Sequence, residues 1–273
     1  MIDRMRPAEL TFAQMTAIQA DISAEARRVV VGADAADVTL RVLGGVAVEL
    51  HTPGGVPEEF ARPYRDIDLV TTRKHGRAAA RVLSEFGYIA NERFNAMNGS
   101  TRLVFYDEEH NRQIDVFVGE FRMCHEIPIA DRLDLEPETV PLAELLLTKL
   151  QIVNLNDKDL RDIWAILHGH DVAEHDEDSV NAAHVARVLA ADWGLWRTSR
   201  QTVETARDRL QAASLGEEDR SLLDARLDRL WERVEAEPKG LRWRSRAKLG
   251  ERSKWYEEPE EIAHQSRDAQ KTP

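Results

Sequence analysis

The sequence predicts an α+β protein, a small mixed-sheet domain followed by a helical C-terminal domain, and three observations carry that prediction. Up to about residue 135, short strand-like runs mix with helical stretches, whereas beyond it nearly every segment reads as helical and charged. All six tryptophans, Trp164, Trp193, Trp196, Trp231, Trp243 and Trp255, fall in the second region, which suggests a core packed separately. At 273 residues, 42% hydrophobic and 32% charged, the chain is long enough for two modest globular domains. The boundary is expected near residue 137, giving units 1–137 and 138–273.

The first helix is expected from about Pro7 to Val31. Val38 to Leu43 then reads as a short strand ending at Gly44-Gly45, with a helix-compatible stretch from Val46 to His51 and a break at Pro53-Gly54-Gly55. Ile67 to Val70 is a second strand, followed by a helix from about Lys74 to Phe86 that stops at Gly87. Thr101–Tyr106 and Gln113–Val118 are β-rich runs around a polar loop, the pattern of a hairpin. After Pro141, helices are expected at about 141–155 and 157–168, then near 180–192, 199–213 and 217–236. No internal repeat or long low-complexity tract interrupts the chain.

Composition narrows the function classes. No apolar run approaches the roughly 18 residues needed to span a bilayer, and the N-terminus lacks the apolar core of a signal peptide. Cys124 is the single cysteine and has no activating partner in the sequence. A cytoplasmic location is the expectation. The net charge of −12 argues against wholesale non-specific binding to nucleic acid. A local exception is the tract 239–254, where Lys239, Arg242, Arg244, Arg246, Lys248, Arg252 and Lys254 face only Glu251. Trp243 and Trp255 lie in or beside it, so it reads either as a base-stacking cationic surface or as a solvated tail.

The chemistry centres on Asp66-Ile67-Asp68. On a strand, residues i and i+2 project to one face about 6.5–7 Å apart, so Ile67 and Leu69 enter the core and both acids face away. Asp is depleted in strands, and two carboxylates aimed at one spot repel unless a cation lies between them. Hard oxygen donors of this kind suit Mg²⁺. In Gln113-Ile114-Asp115-Val116, the same alternation sets Asp115 against the apolar face. If the two strands are neighbours, three carboxylates converge, enough to hold two metal ions. Gly44-Gly45 stands where a strand turns into a helix, a place where backbone amides can approach an anion. No G-x-G-x-x-G or Walker A sequence is present.

Lys149 sits in the middle of an apolar stripe formed by Leu142, Leu145, Leu146, Leu150 and Val153, so it must snorkel or meet an anion. Asn156 with Asp159 reads as a helix cap. Arg62 and Arg65 flank the acids and could pair with them or with a phosphate. His168, His170 and His175 with Asp171 and Asp176 match no standard zinc spacing and read as a helix end and polar loop.

Taken together, Leu43-Gly44-Gly45, Arg62-Pro63-Tyr64-Arg65-Asp66-Ile67-Asp68-Leu69 and Gln113-Ile114-Asp115-Val116 resemble the DNA polymerase β-like nucleotidyltransferases. The stretches Glu144 to Gln151 and Lys158 to Ile163 make the chain similar to the AbiEii-type members, which include toxins of toxin–antitoxin pairs. The resemblance spans about residues 38–168. It implies that Asp66 and Asp68 hold Mg²⁺, and that Asp115 is the third carboxylate and helps deprotonate the acceptor hydroxyl. It also implies that Gly44 and Gly45 bind the triphosphate of an NTP such as ATP, and that Lys149 contacts phosphate or acceptor. Two departures bear on substrate preference: Tyr64 stands where the family commonly has Ser or Thr, and the interval from Gly-Gly to Asp66 is long. The implied reaction moves a nucleoside monophosphate from an NTP to an acceptor hydroxyl. The acceptor is tRNA or another RNA through the 239–254 tract, or a small molecule or protein. An antitoxin partner and a non-catalytic module that binds a nucleotide or a partner are the further expectations.

Overall fold

The computed structural model describes residues 17–52 and 54–258. Asp21 caps the first described helix, α1 (Ile22–Ala35), its side chain accepting from the amide of Ala24 at 2.7 Å. That cap corrects the expected range: residues 17–21 are not helical and the helix runs four residues past Val31, while the expected turns at 7–16 lie outside the described residues.

A five-stranded mixed sheet follows, built from β1 (Leu40–Leu43), β2 (Ile67–Thr71), β3 (Ile89–Ala90), β4 (Arg102–Asp107) and β5 (Arg112–Val118). Its order is β1-β2-β5-β4-β3. Only β2 and β5 run parallel, and β4–β5 is the expected hairpin, closing with Asp107 opposite Arg112. Between the strands stand α2 (Gly44–His51), α3 (Gly76–Glu85) and α4 (Glu92–Asn98). Ile67, Leu69, Ile114 and Val116 are fully buried on one face, as strand alternation requires.

The chain then makes a small ribbon, β6 (Phe121–Arg122) with β7 (Glu126–Ile127), and enters α5 (Leu142–Leu150) and α6 (Asp157–Gly169). A short parallel pair, β8 (Asp171–Ala173) with β9 (Ser179–Asn181), precedes α7 (Ala182–Ala191), α8 (Trp193–Ala212), α9 (Glu217–Ala236) and α10 (Leu241–Leu249). All nine residues of α5 are buried, Glu144 and Lys149 included, because it packs against α2, α6, α7 and α8 at once. Val153, expected to extend its stripe, lies beyond the helix end. The buried apolar side chains form one connected cluster from Ala26 to Val234, in which Trp164, Trp193 and Trp196 join the residues under the sheet. Among the described residues no helix is long and apolar enough to cross a membrane.

Candidate active site

The register of the central strands puts two acids side by side. Asp68 on β2 pairs with Asp115 on the parallel β5, and the row continues to Leu43 on one side and Val104 on the other. Paired residues of adjacent strands share a sheet face, so the two carboxylates are neighbours on the face opposite Ile67 and Ile114. Asp66 directly precedes β2, which begins at Ile67 as expected; it is exposed, and its charge acts on Asp68.

Burial pushes the Asp68 carboxyl up to about 7, helped by the neighbouring charges of Asp115 and Asp66 and opposed by Lys149 and Arg102. The five groups therefore share one electrostatic neighbourhood, and its acids are under-compensated at Asp68. Asp115 is not in an open cleft, as the alternation alone suggests, but is buried with both oxygens engaged. Oδ1 accepts from Arg102, 2.8 Å from Nε and 2.7 Å from Nη2, and Oδ2 accepts from Gln113 Nε2 at 2.6 Å. Arg102 in turn lies over the Phe117 ring, 5.2 Å from its centroid.

Gly44 begins α2 with φ +71°, a conformation that favours glycine, and any Cβ there would overlap Asp68 Oδ2. Helix α2 thus starts against the acid pair, and its N-cap, Leu43, supplies no side-chain bond to the first amides. A Cβ on Gly45 would overlap the Tyr64 ring, and Arg62 Nη2 would lie 2.6 Å from it. The 62–64 segment folds over this turn, with the Arg62 guanidinium 4.4 Å from the Tyr64 ring centroid.

Arg62 grips Asp162 on α6, Nε to Oδ1 at 2.8 Å and Nη2 to Oδ2 at 2.6 Å. The same Oδ2 lies 2.8 Å from Lys149 Nζ, and Asp159 Oδ1 stands 3.9 Å away. Lys149 therefore meets an anion, and that anion is its own chain's carboxylate. Burial opposes ionisation of Asp162, yet Lys149 and Arg62 hold it below the usual carboxylate range. Asp159 completes the expected capping box with Asn156. Arg65 is exposed.

The structure gathers Gly44, Gly45, Arg62, Asp68, Asp115 and Lys149 around the β2–β5 row, and the exposed Asp66 acts on Asp68 through its charge. Arg102, Gln113 and Asp162 were not among the expected site residues; the available signal was an acid, Asp162, inside the apolar run Leu160–Leu167. The imidazoles of the 168–176 stretch have local partners: His168 with Asp219 at 2.9 Å, His170 with Asp178 at 3.0 Å and His175 with Ser179 at 3.2 Å. Cys124 is a buried free thiol.

Among the described residues no group of three His, Cys, Asp or Glu side chains is close enough to hold a metal ion. Asp68, poorly neutralised and beside Asp115, is a carboxylate of the kind a hard divalent cation takes, since Mg²⁺ needs only one or two carboxylates and completes its shell with water and phosphate oxygens. Both oxygens of Asp115 are already engaged by Arg102 and Gln113.

No protein-family model matches the chain, and no curated protein matches it in sequence. Among solved structures, the chain is similar to the STING-associated CdnE c-di-GMP synthase from Capnocytophaga granulosa, at 13% identity over 81% of this chain and 83% of that one, with a TM-score of 0.29.

Proposed function

We propose that this chain is a metal-dependent nucleotidyltransferase. The observation that carries the reading is the in-register pair Asp68 and Asp115, with the glycine-started end of α2 against the first acid. In the proposed reaction an acceptor hydroxyl oxygen bonds to the α-phosphorus of an NTP. The bond from that phosphorus to the bridging oxygen breaks, and pyrophosphate leaves with the electron pair. The acceptor's proton passes to the carboxylate pair. Asp68 and Asp115, with the exposed Asp66, would hold one or two Mg²⁺ ions. Mg²⁺ bound there supplies charge neutralisation for the acids and the triphosphate.

The chain's own groups position the substrate. The first amides of α2, from Gly44 and Gly45, face an anion as helix N-termini do. Lys149 and Arg62 bring two cations to one buried acid, Asp162, and a triphosphate can share them. The division near residue 137 into a catalytic unit and a helical unit rests on the resemblance to AbiEii-type enzymes, and Lys149 and Asp162 would be the helical unit's contribution to the site. The acceptor is proposed to be an RNA end, approached through the 239–254 tract, whose residues Arg242, Arg244 and Lys248 are exposed on or beside α10. A toxin role with an antitoxin partner, and a cytoplasmic setting, go with the same resemblance.

The test is incubation with each labelled NTP, Mg²⁺, total RNA and cell extract, comparing the parent with Asp68→Ala. Label transferred by the parent and lost in the variant supports the reading; no transfer to any acceptor sinks it. A second reading, a nucleotide-binding module without turnover, is favoured by one observation: Arg102 already neutralises Asp115. Saturable NTP binding without any transfer would select it.

A further inference from the structure

Away from the acid pair, a cavity of about 590 Å³ opens where the C-terminal segment crosses the β6–β7 ribbon and the start of α8. The crossing is held at two points: the Glu257 amide donates to the Cys124 carbonyl at 2.9 Å, and Trp255 Nε1 donates to Thr198 Oγ1 at 3.2 Å. One part of the lining is aromatic, from Trp193, Trp243, Trp255 and Tyr256. Another is cationic, from Arg122, Arg242, Arg246 and Lys254.

The two parts are interleaved. The Arg246 guanidinium lies 4.5 Å from the Trp193 ring centroid, and Lys254 Nζ lies 5.4 Å from that of Tyr256. Trp193 and Trp255 meet edge to face at 6.3 Å. Of the three acids in the lining, Glu126 is paired with Arg122, Asp192 caps α8 through the Leu195 amide at 2.8 Å, and Glu257 is the third. Of the cations, Lys254 is paired with Glu258 at 3.0 Å, which leaves Arg242 and Arg246 as the main positive charges. Arg242 is exposed at the rim. The Trp243 indole N–H is buried with no hydrogen-bond partner among the described residues, a donor whose desolvation nothing offsets.

We propose that this cavity is a second nucleotide site, binding a nucleoside phosphate with its base among the tryptophans and its phosphate toward Arg242 and Arg246. Base–aromatic stacking with cation neutralisation of the backbone is the recurring chemistry of such sites, and the volume falls within the usual range for small-molecule sites, about 300–1,000 Å³. Arg122 and Glu257 also line a groove of about 290 Å³ with Arg102 and Phe117, so the cavity leads toward the guanidinium that holds Asp115. The inference deepens the RNA-acceptor reading by naming where a terminal nucleotide sits, and the binding itself does not need the transfer reaction.

The test is tryptophan-fluorescence titration of the full chain in EDTA, with AMP, a short oligoribonucleotide and inorganic phosphate as separate ligands. Saturable binding of AMP or the oligonucleotide is expected, about tenfold weaker in Arg242→Glu and in Trp243→Leu, and unchanged in Asp68→Asn. Arg242 is exposed, so Arg242→Glu keeps the test valid if Trp243→Leu fails to fold. Tighter binding of the oligonucleotide identifies a strand end, and equal binding identifies a free nucleotide. Three outcomes overturn the proposal: no saturable binding, inorganic phosphate binding as well as AMP, or loss of binding in Asp68→Asn. None of them touches transfer at the acid pair, which the labelled-NTP assay reads separately.

Discussion

Asp162 Oδ2 lies 2.8 Å from Lys149 Nζ, and the Asp162 side chain is only 1% exposed. The acid also takes both bonds from Arg62, so one buried negative charge holds two cations beside the Gly44-Gly45 turn. Removing one partner of a buried pair costs more than the pair is worth, because the survivor stays desolvated and unpaired. Asp162→Ala is therefore expected to lose about 3 kcal/mol of stability. The double variant Asp162→Ala with Lys149→Met should recover much of that loss. Urea unfolding of the parent, both single variants and the double variant checks it; simple additivity would refute the coupling.

Asp68 behaves in the opposite way. Its carboxylate is crowded by burial and by Asp115, so the charged form works against the fold. Asp68→Asn keeps the shape and removes the repulsion, and is expected to raise stability by about 2 kcal/mol at pH 8, at roughly 1.4 kcal/mol per pKa unit of relieved repulsion. Mg²⁺ should raise the parent's Tm and leave that of the variant unmoved. Calorimetry with and without the ion reads both effects. A variant less stable than the parent would show that Asp68 is already compensated.

Much of this arrangement was legible because it is local. Alternation in Ile67–Val70 and Gln113–Val118 placed Asp68 and Asp115 opposite their apolar neighbours, and Gly44-Gly45 marked the turn into α2. Partner choice was not legible. Arg62 and Asp162 are 100 residues apart in sequence, and only the packing of α2 against α5 and α6 joins them. The start of β2 at Ile67 was read correctly, and Asp66 stands just before it, near enough for its charge to act on Asp68. Helix α5 reads as amphipathic around Lys149, but it is covered on every side. Glu144 is consequently buried too, beside Arg132 and 2.7 Å from His184.

Gly44 offers a test that depends on shape. Its φ of +71° is costly for any residue with a Cβ, and the added methyl would overlap the Asp68 carboxylate. Gly44→Ala is expected to cost about 2 kcal/mol, the sum of a left-handed backbone penalty and the displacement of Asp68. Gly54, with no atoms near its would-be Cβ, is the control, and Gly54→Ala should change stability by less than about 0.5 kcal/mol. Thermal unfolding of the two variants decides it; equal effects would mean that the turn at Gly44 relaxes freely.

Acid should strain the fold at His125. Burial lowers this imidazole from 6.5 to about 4, and it sits with Nε2 2.8 Å from Thr198 Oγ1 and its amide bonded to Gln151. Between pH 6.5 and about 4 the unfolded chain binds the proton and the folded chain does not, so stability falls as pH drops through that window. At roughly 1.4 kcal/mol per pKa unit the full effect is about 3 kcal/mol. His51, lowered to about 4 chiefly by burial, adds a loss of the same sign. Asp68, whose carboxyl is raised, contributes with the opposite sign, so the raw curve mixes the terms. The difference between the parent and His125→Gln isolates one of them: the parent's advantage should shrink steadily from pH 7 to pH 4. A difference that stays flat over that range would mean that His125 takes up its proton in the folded state.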